Sequence, residues 1–400
     1  MAALVRSLVV STTGVVGQRW RANVTPAGFV EPHDGSAVLG WYIAATDRWH
    51  DPRSAAALRH RRVAGTAVFE TKLRIPGGDA IQRVWSVADH GGYTLISVDN
   101  DSPSPIAVAF TRRDLATDRP IAAVPIEGIS LPDEAVVLPI SHRAGITVAL
   151  AHGKRGPSSL PTGLPTADAV VRGWQARTDA ASRLDLPDPT LVEAVRAARC
   201  EVLLGGIVDH AADPERHLLA IGELVRLGDL DSRGAAEAAP SIAAAVTSTV
   251  RRRRRLAAAA LEAAAVALAR AGERRALSDL AKLRRQLPDD DVTTASSPAE
   301  MGADIAVVPL VERRLVTGSV LFPGGIPYGW RGRDFEAHRL VAGPASRLSL
   351  AIRWHGANAA MLWEVDGEPV TLSAALDASP WSTDLRRGET LWRLPEPAGA

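Results

Sequence analysis

Of the residues a chain can use for covalent staples, this one has almost none: its 400 residues include a single cysteine, Cys200. That count excludes an internal disulfide and a thiolate metal cluster. Cys200 falls among apolar neighbours in "DPTLVEAVRAARCEVLL". This setting predicts a buried, inert thiol, because a reactive one needs an exposed, electropositive environment. A secreted chain of this size would ordinarily carry disulfides, so the count also predicts cytoplasmic residence. An excess of one charge is missing too. Lys and Arg number 46, Asp and Glu 45, and the net charge is +1, which gives no global attraction to nucleic acid or to an acidic partner. Lysine is scarce and arginine and alanine abundant, the usage of a high-GC genome, so a single arginine carries little weight.

Long hydrophobic runs are also absent. "LAAAALEAAAVALA" (256–269) is interrupted by Glu262 and is too short to span a bilayer. The start, "MAALVRSLVVSTTGVVGQRW", places Arg6 before an apolar run diluted by Ser, Thr and Gly, with no clean cleavage site. It is read as an opening strand rather than a signal peptide. No Walker loop, G-x-G-x-x-G, G-x-S-x-G, paired C-x-x-C or H-E-x-x-H occurs, so nucleotide chemistry, dinucleotide redox, serine hydrolysis and metal binding have no support, and no cofactor is expected.

What is present is ordinary for a globular protein: 46% apolar and 23% charged residues, in a chain long enough for two or three domains. Residues 1–152 read as β-structure. In "AVFETKLRI" (67–75), Phe69, Thr71, Leu73 and Ile75 alternate with Glu70, Lys72 and Arg74, the period of a strand with one buried face. Pro76-Gly77-Gly78 and "DNDSPSP" mark turns, and further strands are expected at 121–126, 135–140 and 145–151. Strands at this spacing predict a large antiparallel sandwich. Residues 153–166 form a Gly/Pro/Ser-rich linker in which Thr166 is placed to cap a helix. Residues 167–287 are helical, with room for five or six helices; Asp213, Pro214 and Gly228 supply the start and stop of one of them. A second linker, 288–302, contains Asp289–Asp291, a solvated acidic run. Residues 303–400 return to β-structure and hold Trp330, Trp354, Trp363, Trp381 and Trp392. There "RLSLAIRWHG" alternates, and Asp366-Gly367 signals a hairpin.

"VDNDSPSPIAVAF", "LDLPDPTLVEAVRAARCEVLL", "HLLAIGELVRLGDLDSRGAAEAAPSIAAAV" and "FEAHRLVAGPASRLSLAIRWHGANAAMLWEV" resemble pieces of actinobacterial glucoamylase or glycogen-debranching-like proteins. The resemblance lies in pattern and order across most of the chain. It implies a multidomain β + α fold: an N-terminal antiparallel β-supersandwich, an (α/α)6 array of six helical hairpins, and a small C-terminal antiparallel β-domain. The departure is as informative. Twelve helices need well over 200 residues at about 11–12 per helix plus connections, whereas the helical stretch covers 167–287. The resemblance therefore implies a truncated toroid whose catalytic half is missing.

Glycoside hydrolysis needs two carboxylates about 5–5.5 Å apart for retention or about 6.5–9.5 Å for inversion. The candidates are Glu336 and Glu364 as catalytic groups, with Asp334 and Asp366 beside them in "WRGRDFEAH" and "LWEVDG". Against this, Glu336 and Glu364 alternate outward while Phe335, Trp363 and Val365 point inward. A sugar-binding face would use Trp330 and Trp354 as stacking platforms and Arg331, Asp334 and His355 as hydrogen-bonding groups; the same rings serve equally as a core. His338 has no metal-type spacing to His355. "WYIAATDRWHD" (41–51) is read as a domain-interface loop, and Arg251–Arg255 as a solvated helix end that complements the helix dipole.

The leading expectation is a non-catalytic, carbohydrate-associated binding or scaffold protein related to six-hairpin glycosidases. The alternatives are a minimal glycoside hydrolase acting on α-glucan-type sugars and a structural subunit of a larger assembly. The partners expected are a carbohydrate and a second copy or another protein covering the apolar helix 256–271; nucleic acid and membrane are not expected.

Overall fold

The computed structural model describes residues 11–119, 135–152, 159–252, 255–287, 301–374, 376 and 380–393. The expected strand at 121–126, most of the opening strand, Arg253, Arg254 and Asp289–Asp291 lie outside the described residues. Within those residues the protein is mixed β and α, with several antiparallel sheets and eight α-helices. The chain divides into two compact units, Met1–Trp174 and Gln175–Ala400.

The first unit is β-structure. Its strands are β1 (Thr12–Gly14), β2 (Arg21–Val24), β3 (Val30–Pro32), β4 (Trp41–Ala44), β5 (Trp49–His50), β6 (Leu58–Arg62), β7 (Phe69–Ile75), β8 (Gly78–Val87), β9 (Tyr93–Asn100), β10 (Ile106–Phe110), β11 (Leu115–Ala116), β12 (Val136–Ile140) and β13 (Gly145–Ala151). A six-stranded sheet runs β11-β13-β9-β8-β7-β6 and a four-stranded one β12-β10-β4-β5. Their inner faces share one core, with Phe69, Leu73, Val84, Ile96 and Val148 from the first and Trp41, Ile43, Val108, Phe110 and Leu138 from the second. This is the packing that inward alternation on two sheets produces. The loop after β9 is pinned by the buried Asn100, whose Nδ2 donates to the carbonyls of Ser104 and Ser141.

One position in β7 departs from the alternation. Glu70 is buried with its inward neighbours, and its carboxylate is held by Arg61 at 2.8 Å, Arg83 at 3.0 Å and Lys72 at 3.6 Å. The outer face of the six-stranded sheet carries a second core. Trp85, Tyr93 and Leu95 pack there against Leu160, Leu164 and Val170, and Trp85 Nε1 donates to Pro165 O at 3.0 Å. The described part of the segment read as a linker is thus laid against the sheet.

The unit boundary falls inside α1 (Ala167–Asp179), where Thr166 Oγ1 accepts the Ala169 N–H. In the second unit, β14 (Arg183–Asp185) precedes α2 (Pro189–Gly205), α3 (Pro214–Leu227), α4 (Ser232–Glu237), α5 (Ala239–Arg252), α6 (Ala257–Ala271) and α7 (Arg274–Arg284). α2 and α3 begin alike: an aspartate, Asp188 or Asp213, caps the first turn through its side chain and a proline follows, since a proline at the first helical position loses no intrahelical bond. The apolar α6 is the centre of the array, covered by α3, α4, α5 and α7. At its crossing with α3, Gly222 lies so close to Ala263 that a Cβ there would meet the Ala263 Cβ at 2.7 Å.

After residue 301 come α8 (Val307–Glu312), β15 (Val316–Thr317), β16 (Val320–Leu321), β17 (Phe335–Gly343), β18 (Ser346–His355), β19 (Asn358–Gly367), β20 (Leu372–Ala374), β21 (Trp381–Thr383) and β22 (Arg387–Arg393). α8 is a helix in a stretch read as strands. The five-stranded sheet is β14-β17-β18-β19-β22, so a strand from between the first two helices forms its edge. The four-stranded sheet β15-β16-β20-β21 contains one parallel pair, β16 with β20. The expected hairpin at Asp366-Gly367 is corrected: both residues continue β19, paired with Arg347 and Ser346, and β20 joins the other sheet. The hairpin lies instead at Gly356-Ala357, between the paired His355 and Asn358. Gly356 has φ +61°, a value a two-residue hairpin loop needs at its first central position.

Candidate functional site

The tryptophans of the last quarter are chiefly core. Trp363 meets Trp381 edge-on at 5.2 Å, Trp381 meets Trp392 at 5.7 Å, Trp392 meets Phe322 at 6.1 Å, Phe322 meets Phe335 at 6.1 Å and Phe335 meets Trp330 at 5.3 Å. Trp330 is only 6% exposed, so its ring is part of this row and not a platform for a ligand. The exposed ring beside it is Tyr328, 71% accessible, with the Arg331 guanidinium 6.0 Å from its centroid. A turn (Tyr328–Trp330) presents both, and a few residues later Asp334 Oδ1 accepts the backbone N–H of Trp354 at 3.0 Å. Trp354 is half-buried and His355 exposed. Arg331 and Asp334 thus follow Tyr328 along one exposed loop, whereas Trp354 and His355 are consecutive on β18 and point to opposite faces of its sheet, Trp354 with the buried Ile352 and His355 outward. Tyr328, which the sequence pattern did not single out, is the exposed ring of this turn, and Trp330 is buried.

Glu336 and Glu364 share the outer face of the five-stranded sheet but are not a pair. Glu336 on β17 is opposite Ala351 on β18, which is opposite Leu362 on β19. Glu364 is therefore two strands away and two residues further along. At about 4.8 Å per strand, that puts the backbones roughly 10 Å apart before the offset, outside the retaining separation and at or beyond the inverting one. Glu336 is also occupied: Oε1 lies 2.9 Å from Arg183 and 3.3 Å from His338, and Oε2 lies 3.0 Å from Arg353. The hydrogen bond from His338, then that from Arg353, holds its carboxyl below the usual carboxylate range. A group so held stays ionised and is a poor proton donor near neutral pH. Glu364 alternates outward on β19 with Trp363 and Val365 inward, and Asp366 follows it on the exposed face.

A second charged cluster, two arginines with two glutamates, lies inside the unit. Arg199 on α2 donates to Glu223 on α3 at 2.6 Å and to Glu312 on α8 at 2.9 Å. Arg226 donates to the same two carboxylates, at 2.8 Å each, and Ser182 Oγ donates to Glu312 at 2.5 Å. All four charged side chains are almost fully buried. Burial pushes the Glu312 carboxyl up, but Arg226 and Arg199 outweigh it and the net shift is downward. Nearby, burial followed by repulsion from Arg226 brings Arg347 down to about 10.

Next to this cluster is a small cavity of about 60 Å³ lined by Gly222, Glu223, Arg226, Glu262, Glu312 and Arg313. Glu262 and Arg313 also border an open cleft of about 1140 Å³ between α6, α7 and the loops around 317–323 and 343–345. The cleft walls are aliphatic, with Leu261, Leu277, Val320 and Pro344. Arg284 and Arg313 stand 3.4 and 4.0 Å from Glu262 at its inner end. Among the described residues no aromatic ring lines it, and none form a group of metal-ligating side chains. No helix of the described residues is long and apolar enough to cross a membrane.

No family model matches the chain, and no curated protein matches it. One solved structure, titled "Putative kojibiose phosphorylase from human microbiome", aligns over 96% of this chain and 92% of its own, at 6% identity and a TM-score of 0.34. A likeness of that size leaves the reading of function to the residues themselves.

Proposed function

We propose that this chain is a non-catalytic relative of six-hairpin glycosidases that binds carbohydrate without cleaving it. The observation that carries the non-catalytic part is the double clamp on Glu223 and Glu312, each gripped by both Arg199 and Arg226. A glycosidase acid must hold a proton near neutral pH, and the Glu312 carboxyl, pulled down by Arg226 and Arg199 against its burial, does not. Glu336, with Arg183 and Arg353, repeats the pattern at the surface. The binding part is supported by Tyr328 and Arg331, an exposed ring beside a guanidinium, with Asp334 exposed three residues further along the chain. The order of sandwich, shortened helical array and Trp-rich β-structure fits the sequence resemblance.

Calorimetric titration of linear α-glucan oligosaccharides into the full chain tests the reading. Binding is expected, and Tyr328→Ala should weaken it roughly tenfold, about 1.4 kcal/mol. Undetectable binding, or affinity unchanged by the substitution, would contradict it. A hydrolytic reading retains one favourable observation: Glu364 is exposed and makes no ion pair among the described residues. It requires Glu364→Gln to abolish sugar release.

A further inference from the structure

β22 is a sheet edge. Among the described residues it pairs with β19 on one side and with no strand on the other. Its exposed face shows Arg387, Glu389, Leu391 and Arg393, while Trp392 points into the aromatic row. Leu391 is 53% exposed, and Leu362 on the neighbouring β19 is 43% exposed on the same face. An open ladder beside exposed leucines can be completed by another strand. The residues on either side of Leu391 indicate which one. Glu389 and Arg393 lie two positions before and two after it, carry opposite charges, and make no ion pair among the described residues.

We propose that β22 pairs antiparallel with β22 of a second copy of this chain, about a two-fold axis through Leu391 that joins the two five-stranded sheets into one. An axis perpendicular to the sheet keeps outward residues opposite outward residues. Each Glu389 then stands opposite Arg393 of the second copy, and Leu391 stands opposite its own counterpart, at the separations of about 4.5–5.5 Å where cross-strand pairs interact. Two other registers keep at least five of the strand's residues paired. Centring on Thr390 sets Arg387 against Arg393, and centring on Glu389 sets that carboxylate against itself. Like charges directly opposite are destabilising, so the register on Leu391 is selected and the charges that blunt random edge pairing favour this one. A ladder this short is at the small end of specific interfaces, so the dimer is concentration-dependent. This inference stands apart from carbohydrate binding.

Sedimentation velocity of the full chain, from about 1 to about 200 μM to cover the range of a small interface, tests it. The wild type should pass reversibly from monomer to dimer. Glu389→Arg and Arg393→Glu should each remain monomeric with unchanged circular dichroism, since both positions are exposed. The double variant Glu389→Arg/Arg393→Glu should recover the dimer. If the single variants do not fold, Leu391→Cys should cross-link into a dimer with a mild oxidant while Arg387→Cys, off the paired ladder, should not; Cys200 is buried. A wild type monomeric throughout, a dimer indifferent to either reversal, folded single variants without recovery in the double, or equal cross-linking at both cysteines would overturn the proposal.

Discussion

Arg199 Nη2 lies 2.9 Å from Glu312 Oε1, joining α2 to α8 across 113 residues of sequence. Removing one partner of such a buried pair leaves an uncompensated charge in the interior, which costs about 3–5 kcal/mol. Arg199→Met and Glu312→Ala should each destabilise the second unit by that amount, measured as a lower urea midpoint. A loss below about 1 kcal/mol, the range of surface pairs, would show that the cluster does not hold the unit together.

Two pH windows follow from groups shifted by burial and by ion pairing. Burial brings His60 and His152 in the first unit from 6.5 down to about 4; His152 stacks on Trp20 at 4.1 Å. Between those values the unfolded chain binds more protons than the folded one, so stability is full above about pH 6.5 and falls as pH drops toward about 4. Glu312 and Glu70 are depressed carboxylates, so their contribution is present above the unfolded value, 4.5, and is lost as pH falls further through the folded pKa values. Melting temperature against pH should therefore show an upper limb that flattens in His60→Gln/His152→Gln and a lower limb that does not. An unchanged upper limb in that variant would refute the assignment.

Gly222→Ala should destabilise despite the gain in helix propensity of about 1 kcal/mol. The new methyl would stand 2.7 Å from Ala263 Cβ and 2.8 Å from its carbonyl oxygen. Overpacking of that kind costs about 1–3 kcal/mol. A rise in the thermal midpoint would show that α3 and α6 separate readily at this crossing.

What was legible in the sequence was local. Asp188 and Asp213 announce their helices because capping chemistry is complete within three residues, and the alternation in β18 and β19 places Trp363 inward and Glu364 outward. Long-range pairing was not legible. Asp366-Gly367 has turn chemistry, but their pairing with Arg347 and Ser346 overrides it. Glu70 reads as outward by period and is buried because Arg61 and Arg83 on the adjacent strands meet it. The Arg199 cluster was hidden because charged residues are expected at the surface; its signal was an arginine amid the apolar residues of α2 and a Glu223–Arg226 pair at helical spacing on the largely apolar α3. Trp330 and Tyr328 exchanged roles because residue type alone does not tell a core ring from an exposed one.

The central claim, binding without cleavage, is tested most directly by reducing-sugar release from a panel of α-linked glucans incubated with the wild-type chain, Glu336→Gln and Glu364→Gln. No release above the protein-free control is expected from any of the three. Release by the wild type that disappears in either variant would contradict the account and make this chain a glycoside hydrolase.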